Sequence, residues 1–353
     1  MCLLKTILEN IVPADPVWRE KARERILTLT MPPWALGRVL DLAVDLAGMT
    51  RSLRPAVSRR CVVVMAGDHG VAREGVSAYP QEVTVQMVRN FLAGGAGVNV
   101  LARQAHARVL VVDVGVAGDL GDIPKSSDFL FKRVASGTAN IAAGPAMSRE
   151  QAIQSIEVGI ETALQLDATT DVFATGEMGI GNTTPSSAIV ATVCGVDVET
   201  VTGRGSGIDQ DRLRHKAAII KRAIMVNQPD PTDALDILSK VGGFEIGAIA
   251  GLILGAASRC KPVLIDGFIS TAGALLACLL CPESVDYMIA AHESVECGHR
   301  VALEHLRLSP LLNLSLRLGE GTGGALAMHL VEAAVRLMTE MATFEDAGIS
   351  DAC

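Results

Sequence analysis

The sequence predicts an α/β fold: a doubly wound, mainly parallel sheet with helices on both faces, plus a small helical subdomain from the chain termini. Three observations carry this. Short apolar or β-branched runs end abruptly in glycine and polar residues, helix-patterned stretches lie between them, and the first 58 residues show helices but no convincing strand. The composition agrees, because 49% hydrophobic residues and 34 glycines with only 3% aromatics suit small-residue helices packed on a sheet.

From the start of the chain, helices are expected over 16–29 and 35–48, separated by Pro32-Pro33, since proline cannot continue a helix from within. The strand candidates follow: "CVVVMAGDHG" (61–70), "RVLVVDVGVAG" (108–118), "DVFATGEMGIGN" (171–182), "KPVLIDGFIS" (261–270) and, more weakly, "VDYMIAAHES" (285–294). Runs with so little alternation suit strands buried on both faces, as in a parallel sheet. Helical patterns occupy 82–104, 148–166, 184–194, 209–225, 243–258, 270–281, 294–307 and 323–343. Strand, crossover helix and strand repeated in this way build a doubly wound sheet. The expected division is a Rossmann-like catalytic domain over 59–322 and a helical subdomain from 1–58 with 323–353. Ligands of such sheets bind outside the carboxyl ends of the strands, and the polar clusters sit at those ends.

A net charge of −8 and few aromatics argue against nucleic acid, which needs a basic surface and stacking platforms. The longest uncharged runs, near 246–258 and 267–282, fall short of the roughly 20 residues of a membrane helix. The opening "MCLLKTILENIVPADP" lacks the features of a signal peptide, so a soluble cytoplasmic protein is expected. Eight cysteines form no framework, and Cys278 with Cys281 read as buried free thiols. The partners left are small molecules or a second copy of the chain.

The richest cluster is "GEMGIGNTTPSSA" (176–188). Gly176, Gly179 and Gly181 open a turn after a strand, and Asn182, Thr183 and Thr184 stand where the next helix is capped. Backbone N–H groups and hydroxyls there can cradle a phosphate or carboxylate. A plain strand-to-helix turn also fits, but it leaves Glu177 unexplained. "TGRGSGIDQDRLRHK" (202–216) places Gly203, Gly205 and Gly207 before a helix bearing Lys216. No strand immediately precedes it and no ribose-binding acid is placed, so a dinucleotide cofactor is rejected. In "GDHGVAREGVSAYPQEVT" (67–84), Asp68 and His69 are read as holding a strand end, because no compact ligand set accompanies them. "VVDVGVAG" (111–118) lacks paired acids, so no magnesium–diphosphate site is implied. The last cluster, "RLGEGTGGALAMHL" (317–330), sets Glu320 alone among glycines where a helix begins. A carboxylate has the wrong sign for that place unless it has separate work.

These motifs, with "NIAAGPAMSREQA" (140–152), "KVGGFEIGAIAGLILGAA" and "PVLIDGFIS", occur in order. Together the chain resembles the nicotinate-nucleotide–dimethylbenzimidazole phosphoribosyltransferase family from about residue 5 to about residue 342. The resemblance implies transfer of the phosphoribosyl group of nicotinate mononucleotide to a benzimidazole-type base, without metal or cofactor, in a homodimer. It implies Glu320 as the catalytic base and Glu177 as its assistant. It assigns the nucleotide phosphate to Gly176, Gly179, Gly181, Asn182, Thr183, Gly203, Gly205, Lys216, Gly321, Thr322 and Gly323. Tyr79, Met87, Met178 and Leu318 would wall the base pocket. Taken alone, Tyr79 and Met87 also fit core packing, and Lys216 a solvated helix face. The chain departs from the family at Pro32-Pro33-Trp34-Ala35-Leu36-Gly37, where Gly-Ser commonly follows the two prolines. Two other readings remain: the same chemistry on a purine, another benzimidazole or a phenol, and a silent nucleotide-binding regulatory protein.

Overall fold

The structure is a computed structural model that describes residues 3–124, 126–205 and 207–350. Its strands are β1 (Arg60–Gly67), β2 (Ala107–Gly115), β3 (Phe129–Phe131), β4 (Val172–Met178), β5 (Val263–Ile265), β6 (Met288–Ala290), β7 (His292–Ser294) and β8 (Leu312–Leu316). The first six form one sheet in the order β3-β2-β1-β4-β5-β6. Every neighbouring pair is parallel, so the expected mainly parallel sheet is wholly so. The remaining two make a small parallel ribbon.

Strand β1 is buried along its whole length, which is why its run Cys61–Met65 shows no polar alternation. Helix Phe244–Ala257, also buried throughout, packs across the sheet and against helix Arg149–Leu166. Their backbones touch: a Cβ on Gly159 would strike the Ala248 carbonyl. Leu46, Ile26 and Met338 belong to the same continuous core.

Sequence reading missed β3 and β8, three and five residues long: β3 (Phe-Leu-Phe) is too short to show a period, while the alternation of β8 (Leu-Asn-Leu-Ser-Leu) was present and passed over. It also missed helix Ala234–Val241, which Asp233 caps through the Leu235 and Asp236 amides. The expected helix 82–104 is two, Val83–Leu92 and Gly97–Gln104, broken where Gly94 turns to φ +77°. The expected strand 285–294 is a 3-10 turn (Pro282–Tyr287) followed by two short strands in different sheets. Helix 35–48 instead runs Arg38–Thr50. Before it, Trp34 turns to φ +55° and its indole donates to Asp41 at 2.7 Å.

Helices Pro16–Leu27, Arg38–Thr50 and Thr322–Glu340 pack together. Thr30 N donates to Ala342 O at 3.1 Å and Phe344 N to Thr28 O at 3.0 Å, tying the two ends of the chain. The last of these helices also lies on β4 and β5, which brings its N-terminus to the sheet's carboxyl edge. Strand order reverses between β1 and β4, the position where such sheets open a ligand crevice. There Met65 pairs with Glu177 and Ala66 with Met178.

Candidate active site

A cavity of about 530 Å³ opens at this switch point, a volume that suits a small-molecule site. Its wall includes Glu177, Met178, Gly179, Gly181, Asn182, Thr183, Gly205 and Glu320, with Tyr79, Met87 and Leu318. Residues drawn from separate stretches of sequence therefore meet on one surface.

Glu320 is held in an unusual backbone. Gly319, Glu320 and Gly321 have φ of +79°, +63° and +96°, a left-handed region that suits glycine and strains other residues. What holds it there is Asp266, just beyond β5. The Asp266 carboxylate accepts Gly321 N at 3.1 Å, Gly323 N at 2.7 Å and Gly324 N at 3.1 Å. A built-in anion thus fills the helix N-terminus that sequence reasoning had offered to a ligand. The Thr322 hydroxyl donates to Gly319 O at 2.8 Å. Of the expected phosphate-binding stretch Gly321, Thr322 and Gly323, the two glycine amides are thus already engaged by Asp266, while the neighbouring Leu318, Gly319 and Glu320 line the cavity.

The Glu320 side chain is buried, and its Oε2 accepts Val98 N at 3.2 Å, in the first turn of helix Gly97–Gln104. Burial raises its pKa and outweighs the opposing Val98 bond, while Asp266 adds to the rise. Glu177 is coupled to it through the backbone: Glu320 N donates to Glu177 Oε1 at 3.3 Å. Asn182 Nδ2 donates to Glu177 Oε2. Asn182 stands at the N-cap of helix Thr183–Cys194, as expected, but its side chain makes no cap bond. Burial pushes the Glu177 carboxyl up to about 7, against the Asn182 bond.

Lys216 is fully buried rather than on a solvated face. Its Nζ donates to Thr183 Oγ1 at 2.6 Å and more weakly to Gly203 O at 3.4 Å. Burial lowers its pKa to about 8. It reaches the cavity through Thr183 rather than lining it. Gly176 and Gly203 also sit behind the wall, Gly176 directly beneath the Glu320 carbonyl and Gly203 against the Glu296 carboxylate. Of the residues expected to wall a base pocket, Met87 and Met178 are half-buried, while Tyr79 and Leu318 are 56% and 60% exposed at the rim.

Asp68 and His69 do tie a strand end, as expected. Asp68 Oδ2 accepts Ala117 N at 2.8 Å, and His69 Nε2 lies 2.7 Å from Glu245 Oε1. Among the described residues no group of three His, Cys, Asp or Glu side chains is arranged to hold a metal ion.

Sequence reasoning missed Asp266, His292, Ser294, Glu296 and Arg317, although each stood in or beside a strand-end cluster. His292 lines the cavity 3.6 Å from Asp266 Oδ1. Burial opposes its charged form, but Asp266 outweighs that and raises its pKa. Glu296 Oε1 accepts Gly205 N at 3.0 Å.

The Glu177 shift has a consequence for stability. A carboxyl whose folded pKa rises from 4.5 to about 7 holds its proton more tightly in the folded state than in the unfolded state. It therefore destabilises the fold progressively as pH climbs between those values. Glu177→Gln removes this dependence. Relative to the native protein, the variant should gain on the order of 1–3 kcal/mol between pH 4.5 and 8, read as paired melting curves. A pH-independent difference would mean that folding does not raise the Glu177 pKa.

The phosphoribosyltransferase family model matches residues 11–349. A nicotinate-nucleotide–dimethylbenzimidazole phosphoribosyltransferase from Syntrophotalea carbinolica is 61% identical over 350 residues, 99% of each chain. The protein of the same name from Desulforudis audaxviator is 54% identical over 353 residues, covering 100% of this chain and 99% of that one. Among solved structures, CobT from Thermus thermophilus superposes with a TM-score of 0.91 at 46% identity, over 96% of this chain and 100% of that one.

Proposed function

The chain belongs to this phosphoribosyltransferase family, and from that premise we propose that it transfers the 5-phosphoribosyl group of nicotinate mononucleotide to 5,6-dimethylbenzimidazole. The products are α-ribazole 5′-phosphate and nicotinate, for the nucleotide loop of cobalamin. The observation that carries the reading is the pair Glu177 and Glu320, joined by a hydrogen bond and facing one cavity with apolar walls.

The chemistry asks little of the leaving side. Nicotinate departs from a pyridinium and takes the bonding electron pair, so its ring nitrogen becomes neutral without a proton. The incoming base has the opposite need. As one benzimidazole nitrogen bonds to the anomeric carbon from the other face, the ring turns cationic and its second N–H must lose a proton. Glu320 accepts it, and general-base help of this kind contributes roughly 10²–10⁴-fold. Burial suits the task, because the raised pKa makes this carboxylate a stronger base than an exposed one. Glu177 orients Glu320 by holding its backbone N–H.

The phosphate is assigned to the turn of Gly179, Gly181 and Thr183, with Gly205 and with Lys216 behind Thr183. Lys216→Ala should weaken nicotinate mononucleotide binding by about 1.5–3 kcal/mol, the cost of a charge-assisted contact, with a much smaller effect on the unphosphorylated riboside. Titration calorimetry with both ligands reads this, and equal losses would make Lys216 purely structural. Tyr79, Met87, Met178 and Leu318 wall the base, where burial of apolar surface contributes about 25 cal/mol per Å². We assign the chemistry to residues 59–322 and a flanking helical subdomain to 1–58 with 323–353, in a cytoplasmic homodimer. No helix of the described residues is long and apolar enough to cross a membrane.

The deciding experiment mixes the protein with nicotinate mononucleotide and a panel of benzimidazoles, purines and phenols, and measures nicotinate release. Release with dimethylbenzimidazole supports the reading. Release only with another base moves it to that base, and none with any base leaves a silent nucleotide-binding protein.

A further inference from the structure

We infer that Arg317 recognises the carboxylate of the donor's nicotinate ring and so makes the enzyme prefer nicotinate over nicotinamide nucleotides. The inference rests on the functional reading above and deepens it by naming the residue that reads the leaving group.

The cavity poses an electrostatic problem for that ligand. Three carboxylates, Glu177, Glu296 and Glu320, line it. A donor bearing a phosphate and a ring carboxylate brings negative charge into this negative wall, where like charges disfavour one another strongly. Among the described residues, two basic side chains line the cavity, His292 and Arg317. His292 is engaged by Asp266 at 3.6 Å. Lys216, behind the wall, is engaged by Thr183 at 2.6 Å and belongs with the phosphate cradle at Thr183 and Gly205.

Arg317 differs from both. It is exposed into the cavity mouth, and it makes no hydrogen bond or ion pair with any described residue. Most of the other arginines of the fold are committed, as Arg59 is to Asp171, Arg60 to Glu332 and Arg133 to Asp113. An uncommitted guanidinium on the wall of an acidic cavity is available for an anionic ligand. Its planar fork matches a carboxylate bidentately.

The backbone holds it in place. Arg317 follows β8 directly, and Val295 N donates to Leu316 O at 3.1 Å, so the strand ribbon fixes the chain on one side. On the other side come Leu318 and then Glu320, clamped through the Gly321 amide to Asp266. The segment 317–320 thus presents a cation, an apolar wall and a base to the same cavity. A flat aromatic acid needs the first two.

The test compares nicotinate mononucleotide with nicotinamide mononucleotide, which keeps the phosphate, ribose and ring but replaces the carboxylate by a neutral amide. Binding constants come from titration calorimetry, and nicotinate release is followed with dimethylbenzimidazole as acceptor. Arg317→Gln should weaken nicotinate mononucleotide roughly 10–100-fold, the loss of a charge-assisted pair, while nicotinamide mononucleotide changes by no more than about threefold. Arg317→Lys keeps the charge but loses the fork, and should fall between. Equal weakening of both nucleotides would place Arg317 on the phosphate or in the fold, and no weakening of either would leave it unused. Both outcomes overturn the inference while native nicotinate release still stands. Absence of release from the native protein would instead sink the functional reading, and this inference with it.

Discussion

Glu320→Gln should lower turnover with a benzimidazole acceptor by roughly two orders of magnitude or more while leaving nucleotide affinity nearly intact. The substitution preserves shape: an amide oxygen can still accept Val98 N, the one hydrogen bond the side chain makes among the described residues. It removes the capacity to take a proton. The loss therefore appears in kcat and kcat/KM together, the mark of an interaction made in the transition state. Single-turnover nicotinate release measures the chemical step directly. Glu177→Gln should be milder, because Glu177 acts on the Glu320 backbone rather than on the ring. If Glu177 partly covers for Glu320, the double variant falls below either single one. A wild-type rate in Glu320→Gln would transfer the base to Glu177, whose pKa of about 7 already suits proton exchange near neutrality.

Asp266→Ala should be the second severe lesion, although Asp266 is absent from the cavity wall. Its two oxygens hold the Gly321, Gly323 and Gly324 amides, and three buried donors lose their partner at once. Leaving even one buried donor unsatisfied costs about 1–3 kcal/mol, so the melting temperature should drop by several degrees or more. The catalytic effect has a separate cause. Without the clamp Glu320 is held at φ +63° by fewer bonds, those to Glu177 and Val98, and a shift of about 1 Å in a catalytic group can cost about 10²-fold. The two readouts can be separated by placing Asp266→Ala in the Glu320→Gln background. If the clamp works by positioning Glu320, the second substitution adds little further loss of kcat there, because the two act as one unit. Full additivity of the rate losses would show that Asp266 acts on something other than the base. An unchanged melting temperature would show that the helix finds other partners for its amides.

Much of the site was legible because its chemistry is written in local contrasts. Glu320 is the only acid in a glycine-rich stretch, and Glu177 is unexplained by any turn, so both stand out before a single contact is known. Buried parallel strands also announce themselves locally, since both faces of β1 are apolar from Cys61 to the turn and β4 opens on an apolar run, Val172 to Ala174. The carboxyl ends of those strands then mark the crevice without further information. The sequence by itself thus determined the α/β class, the edge of the sheet where the cavity opens, and the two carboxylates that line it.

What it left open are the bonds between segments far apart in the chain. Asp266 reads as an ordinary strand-end acid until helix Thr322–Glu340 is laid against β5, and only then does it become the anion that the helix N-terminus was missing. Lys216 has a polar neighbourhood in sequence but a buried one in space, because Thr183 and Gly203 close over its ammonium. Asn182 occupies the cap position by spacing, yet its side chain makes no cap bond and its Nδ2 donates to Glu177, a partner that only the packed strand and helix place beside it. A strand as short as β3 has too few residues for a period and pairs only because β2 lies beside it. Local pattern decides which residues can be buried, because burial of apolar surface needs no particular partner. Hydrogen bonds and ion pairs are directional and need one, so the tertiary structure alone decided which donor met which acceptor.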